Sequence, residues 1–143
     1  MSLIKNDDDF IYELMQAIKS NSNERFKYLT SNYTNIQGVN INKQDKNGYT
    51  ALMLAVQNIT NVEVIKYLCK TFKDTIDINI QDNDYGRTAL MLAAIETNVE
   101  IIKYLQTTFK DTVDINKQDD DGYNALMLAA QYNTNIEVTQ YLC

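Results

Sequence analysis

The chain has no histidine, no proline and no tryptophan, and among its 143 residues only four glycines, four serines and two cysteines. Without histidine, neither a Ser-His-Asp nor a Cys-His nucleophile pair can be assembled, and the His-Glu-x-x-His zinc helix is excluded as well. The serines (Ser2, Ser20, Ser22 and Ser31) lie near the N-terminus, and the glycines (Gly38, Gly48, Gly86 and Gly122) stand singly, so no phosphate-cradling loop exists. Cationic side chains are in deficit, and the net charge of −6 opposes binding to nucleic acid or to an anionic membrane surface. The longest apolar run, Ala89 to Ile95, is far too short to span a bilayer, and no signal-peptide pattern opens the chain. An intracellular, cytoplasmic protein is expected.

What is present is repetition. Thr50-Ala-Leu-Met-Leu-Ala55 returns as Thr88-Ala-Leu-Met-Leu-Ala93 and as Asn124-Ala-Leu-Met-Leu-Ala129. A second block follows each copy: Asn61-Val-Glu-Val-Ile-Lys-Tyr-Leu68, Asn98-Val-Glu-Ile-Ile-Lys-Tyr-Leu105 and Asn135-Ile-Glu-Val-Thr-Gln-Tyr-Leu142. A third marker, Ile41-Asn42, recurs as Ile78-Asn79 and Ile115-Asn116, a spacing of 37 residues. A fixed period of this size means one supersecondary unit stacked on copies of itself.

Each unit reads as turn, short helix, loop, second helix. Asn47-Gly48 is a strong turn signal, and Thr50, Thr88 and Asn124 stand where a helix N-cap belongs. Ala51 to Gln57 is apolar on most faces, as a helix between two neighbours must be. Asn61 is expected to cap a second helix whose apolar stripe runs through positions 62, 65, 68, 69 and 72, with Lys66 and Lys73 facing away. The second unit has one extra residue in its turn and one fewer between its helices. Residues 13–29 align without gaps on residues 89–105, but nothing turn-like precedes them, and Gln16 and Lys19 replace apolar residues. Such a unit suits the solvent-facing end of a stack.

Several features invite chemical readings. Met15, Met53, Met91 and Met127 share one register; thioethers suit copper(I), but core filler between helices is the simpler account. Tyr28, Tyr67, Tyr104 and Tyr141 form a second ladder, better read as rings packed inward with their hydroxyls in water than as a base-stacking surface. Asp119-Asp120-Asp121-Gly122 resembles half a calcium loop, yet Lys117 and Leu128 stand where that loop needs acids. Cys69 and Cys143 occupy equivalent places two units apart, too distant to bridge. Gln106 in the intervening unit implies a polar-tolerant site near the surface. Reduced thiols are expected. No carboxylate or lysine pair lies in an apolar segment that would tune it for acid–base work, so no catalytic residue, cofactor or metal site is assigned.

The succession Asp-x-x-Gly, Thr-x-Leu-x-x-Ala, Val-Glu-Val-Ile-Lys-x-Leu, Asp-Ile-Asn resembles the ankyrin repeat. Thr-Ala-Leu-Met stands in place of that family's Thr-Pro-Leu-His, asparagine-containing loops replace its inter-helix glycine, and the second helix runs about three residues longer. The resemblance implies an all-α solenoid of stacked helix-turn-helix units with β-turn fingers, in one domain over 1–143. An N-terminal cap at 8–38 would precede repeats at 39–75 and 76–112 and an incomplete one at 113–143.

It also implies a non-catalytic module that binds a partner protein through finger tips and first-helix ends. At those positions stand Lys46, Asn47, Tyr49 and Gln57; Asn83, Asp84, Tyr85, Arg87 and Glu96; and Asp120, Asp121, Tyr123, Gln131 and Tyr132. Tyrosine and arginine are frequent binding anchors, which singles out Tyr49, Tyr85, Arg87, Tyr123 and Tyr132. The acidic fingers favour a partner with a basic surface. The alternative is a spacer or targeting segment of a larger protein whose activity lies elsewhere. No polar capping unit follows the third repeat, so the chain is expected to be either part of a longer array or a molecule that associates end to end through this repeat.

Overall fold

In the computed structural model, residues 4–58, 62–96, 98–132 and 135–143 are described. Among them are eight helices and no strand: α1 (Asp7–Lys19), α2 (Asn23–Asn32), α3 (Ala51–Gln57), α4 (Val62–Thr71), α5 (Ala89–Ile95), α6 (Val99–Thr108), α7 (Ala125–Tyr132) and α8 (Ile136–Leu142). They pair as α1/α2, α3/α4, α5/α6 and α7/α8, and the first helices of successive pairs pack in the row α1, α3, α5, α7. No helix among the described residues is long and apolar enough to cross a membrane.

Local chemistry sets the helix starts. The hydroxyls of Thr50 and Thr88 accept the N–H groups of Met53 and Met91, each at 3.3 Å, and the Asn124 side chain accepts that of Met127 at 2.9 Å. Asn98 caps α6 by accepting from Ile101, and Asn135 caps α8 by accepting from Glu137. Asn61, the expected cap of α4, lies outside the described residues. Asn6 caps α1 ahead of Asp7, Asp8 and Asp9, whose charges complement the positive end of the helix dipole.

The inner helices are short and apolar because both faces are covered. Ala51 to Val56 and Ala89 to Ala94 are buried throughout. In the outer helices Ile65, Leu68, Ile101 and Leu105 are fully buried, each contributing about 1.5–3 kcal/mol of transfer free energy. Three expectations for α4 need correction. Val64 is buried although it was not assigned to the stripe, whereas Val62 is only half buried. Cys69 is wholly buried rather than near the surface. The half-buried Gln106 at the equivalent place reflects a different local environment, so one repeat's polar residue did not report on another's burial. Lys66 does not simply face away either: its ammonium lies 3.7 Å from Glu63 and 3.8 Å from Glu100, linking α4 to α6.

The methionine ladder is core at Met15, Met53 and Met91 but not at Met127, which is 46% exposed on a face of α7 that no other described helix covers. Ile136, at 71%, is left open on the same last layer. The tyrosine ladder is graded in the same way: Tyr67 and Tyr104 pack partly against the core, while Tyr28 and Tyr141 at the two end layers are exposed. Tyr67 meets Phe26 edge-on at 5.4 Å, and Lys103 lies 4.1 Å over the Tyr141 ring.

Side-chain amides lock the layers to one another. Asn42 donates to the Thr75 carbonyl at 2.7 Å and accepts the Asp77 N–H at 2.8 Å. Asn79 does the same to Thr112 and Asp114, at 2.8 and 2.7 Å. Gln44 bridges the carbonyls of Gly48 and Gln81, and Gln81 those of Gly86 and Gln118. The isoleucine of each Ile-Asn marker is buried at Ile41 and Ile78 and exposed at Ile115, where the next layer would begin.

Candidate functional site

Each finger is built around one aspartate. The Asp45 carboxylate accepts the N–H groups of Asn47 and Tyr49, both at 2.9 Å, and the Gly48 N–H donates to the Asp45 carbonyl. Asp119 repeats this with Asp121 and Tyr123. Asp82 holds Asp84 and Tyr85. These aspartates therefore fold back on their own backbone. The half-calcium-loop pattern at Asp119 is turn chemistry, and no group of three His, Cys, Asp or Glu side chains suited to a metal ion occurs among the described residues.

The fingers stack in contact. The Asn83 N–H donates to the Asn47 carbonyl and the Asp120 N–H to the Tyr85 carbonyl, both at 2.9 Å. Gly48 and Gly86 make this approach feasible: both have positive φ, and a Cβ on Gly48 would lie 2.5 Å from the Asn83 nitrogen. Gly122 keeps the positive φ, but nothing lies within 4 Å of its missing Cβ, because the third finger is uncovered.

The extra residue of the second finger changes what it displays. Asp45 donates its N–H to the Tyr49 carbonyl, Asp119 to that of Tyr123, and Asp82 to that of Arg87. Arg87 thus occupies the place of the tyrosines, and Tyr85 is moved to the tip, where it is 54% exposed. The Arg87 guanidinium lies 4.5 Å above the Tyr85 ring, and its Nε is 3.7 Å from the buried Asp119 carboxylate. Arg87 is therefore mostly covered, between the second and third fingers.

The remaining predicted residues divide by exposure. Lys46, Asn47, Gln57, Asn83, Asp84, Asp120, Asp121, Tyr123, Gln131 and Tyr132 are exposed, with Tyr132 at 52%. Glu96 is half buried at the end of α5. Tyr49 is half buried against the core; burial, followed by the charges of Asp82 and Asp84, raises its hydroxyl pKa. One recess of about 390 Å³ brings together Arg87, Asp121, Tyr123, Gln131 and Tyr132 with Asp119 and Leu128. Lys46 lies apart from these, on the rim of a recess of about 520 Å³ that also touches Tyr12, Met15, Lys19 and Lys43. Tyr12, Lys19 and Lys43 were not among the sequence candidates. They line the recess where α1 meets the first finger.

Electrostatics differ finger by finger. Lys19, at the end of α1, pairs with Asp45 at 2.8 Å. Burial works against this carboxylate, but the Lys19 ammonium and the Tyr49 and Asn47 N–H groups hold its pKa below the ordinary value. Asp82 is buried, and its second carboxylate oxygen has no hydrogen-bond partner among the described residues. The residue equivalent to Lys19 in that layer is Gln57.

The family model described as ankyrin repeats (3 copies) matches residues 5–119 and 73–143. A comparison with curated proteins gave no match. Ankyrin repeats generally mediate protein–protein interaction and are typically non-catalytic. The repeated turn-and-helix-pair architecture and the match across nearly the whole length lead to one conclusion: this chain belongs to the ankyrin-repeat family.

Proposed function

We propose that this chain recognises a partner protein through its finger tips and first-helix ends. The observation that carries the reading is the second fingertip, where Tyr85 stands exposed with the Arg87 guanidinium over its ring. A rigid aromatic ring backed by a cation loses little conformational entropy on binding. The adjoining recess adds Tyr123, Tyr132, Gln131 and Asp121, and the exposed Asp84, Asp120 and Asp121 favour a partner with a basic surface. The fingers vary in sequence between layers while the helices beneath them repeat, which separates a recognition surface from its scaffold.

The test begins with affinity capture on the immobilised chain and identification of the captured protein, followed by titration of that protein in purified form. Tyr85→Ala and Tyr123→Ala together are expected to weaken binding by about 2 kcal/mol or more. Binding is expected to weaken as salt is raised. Unchanged affinity in the folded double variant rejects the finger assignment.

End-to-end association is a second reading, favoured by the open last layer with Met127, Ile136 and Ile115 exposed. Sedimentation across a concentration series distinguishes it, since a monomer at high concentration rules it out.

A further inference from the structure

Two recesses lie along the ends of the outer helices and share no residue with the fingers. The first, of about 220 Å³, is lined by Ile36, Gln37, Val39 and residues 70–75. The second, of about 310 Å³, is lined by Lys73, Asp74, Ile76 and residues 107–112. Moved 37 positions along the chain, every lining position of the first becomes a lining position of the second. One site is therefore built twice, one layer apart.

The same pentapeptide, Thr-Phe-Lys-Asp-Thr, supplies residues 71–75 and 108–112. Packing accounts for part of it. Phe72 and Phe109 are buried, and the hydroxyls of Thr75 and Thr112 donate to their carbonyls at 3.2 and 3.3 Å. Packing does not account for Lys73, Asp74, Lys110 and Asp111, which are exposed and form no ion pair among the described residues. The finger between the two pentapeptides differs from its neighbours, whereas these exposed charges are kept. Lys73 and Asp74 line both recesses and so stand between them.

We infer that this pair of recesses is a docking track for an extended peptide segment of another protein, carrying an apolar side chain at every third position. Stacked helices are spaced about 8–10 Å apart. Three residues of polyproline II, one full turn, advance about 9 Å and bring side chains three apart to the same face, so they fall one into each recess. A helix, about 10 Å across, is too broad for recesses of this size. The two intervening residues meet Lys73 and Asp74, which calls for one carboxylate and one hydrogen-bond donor. With Lys70, Lys73 and Lys110 against Asp74 and Asp111, the rim carries a slight positive excess on an acidic chain. A peptide with a carboxylate in each step complements it.

The probe is a labelled heptapeptide, Leu-Glu-Ser-Leu-Glu-Ser-Leu, with blocked ends, compared with Leu-Leu-Glu-Ser-Glu-Ser-Leu of the same composition. Fluorescence anisotropy gives the affinity, and amide NMR shifts locate the contact. The regular peptide is expected to bind saturably, shifting Lys73, Asp74, Lys110 and Asp111. Lys73→Glu is expected to weaken it about tenfold, whereas Lys27→Glu, exposed on α2 away from both the fingers and the recesses and with the same change in net charge, leaves it within about twofold. Equal binding of the two peptides, equal effects of the two variants, or no saturable binding at millimolar concentration overturns the inference. All three outcomes are independent of the finger surface.

Discussion

The Asn42 side chain holds Asp77, 35 residues further along, by accepting its backbone N–H at 2.8 Å while donating to the Thr75 carbonyl. Asn79 grips Asp114 and Thr112 in the same way. Each asparagine thus welds the end of one outer helix to the base of the finger before it. Asn79→Ala removes two directional bonds and is expected to cost about 1–2 kcal/mol. Asn116→Ala, at the equivalent place but with no such side-chain bonds among the described residues, is expected to stay within about 0.5 kcal/mol. Urea unfolding of the two variants measures the difference, and equal losses would contradict the clamp.

Gly48 and Gly122 share a positive φ but not a neighbour. Gly122→Ala bears the conformational cost alone, about 1–2 kcal/mol. Gly48→Ala adds a clash with the Asn83 backbone and is expected to cost about 2–4 kcal/mol. Thermal unfolding should therefore rank Gly48→Ala as the more harmful substitution.

Asp45 gives a pH dependence. Because Asp45 has a lowered folded pKa, its stabilisation is present above the unfolded value of 3.8 and is lost as the pH falls through the folded value. Lys19→Met removes the paired ammonium. It is expected to lower stability by about 0.5–1 kcal/mol near neutral pH, a deficit that disappears in acid as Asp45 protonates in both proteins. Gln57→Lys would supply Asp82 with the partner that Asp45 already has, and is expected to raise stability by a similar amount, about 0.5–1 kcal/mol. Urea midpoints between about pH 2 and pH 7 test both, bracketing ordinary carboxylate titration.

The two thiols are expected to react very differently. Cys69 is enclosed, and burial pushes its pKa up to about 12, whereas Cys143 is exposed. Alkylation of the folded chain with iodoacetamide should modify Cys143 alone, with Cys69 following only on denaturation. Rapid double modification under native conditions would show that α4 opens readily.

Read from the sequence, the short helices were legible almost residue by residue: Ala51–Gln57 was anticipated, and Thr50, Thr88 and Asn124 do cap their helices. Period, cap and apolar density are local properties, and a tandem repeat states them three times. The placement of the candidate site was less legible. Tyr49 and Arg87 look alike as binding anchors on paper, yet one is half buried against the core and the other is wedged between fingers. Tyr12 and Lys19 entered the picture only through the recess between α1 and the first finger.

Sequence alone determined the repeat, its helices and its turns, because these follow from contacts within one unit of about forty residues. Tertiary structure decided what each repeated residue became. Met91 and Met127, Gly48 and Gly122, and Asn79 and Asn116 are chemically identical pairs with opposite surroundings. The difference is whether another layer lies on top. Burial in a stack is conferred by the neighbour, and no residue carries it in its own side chain.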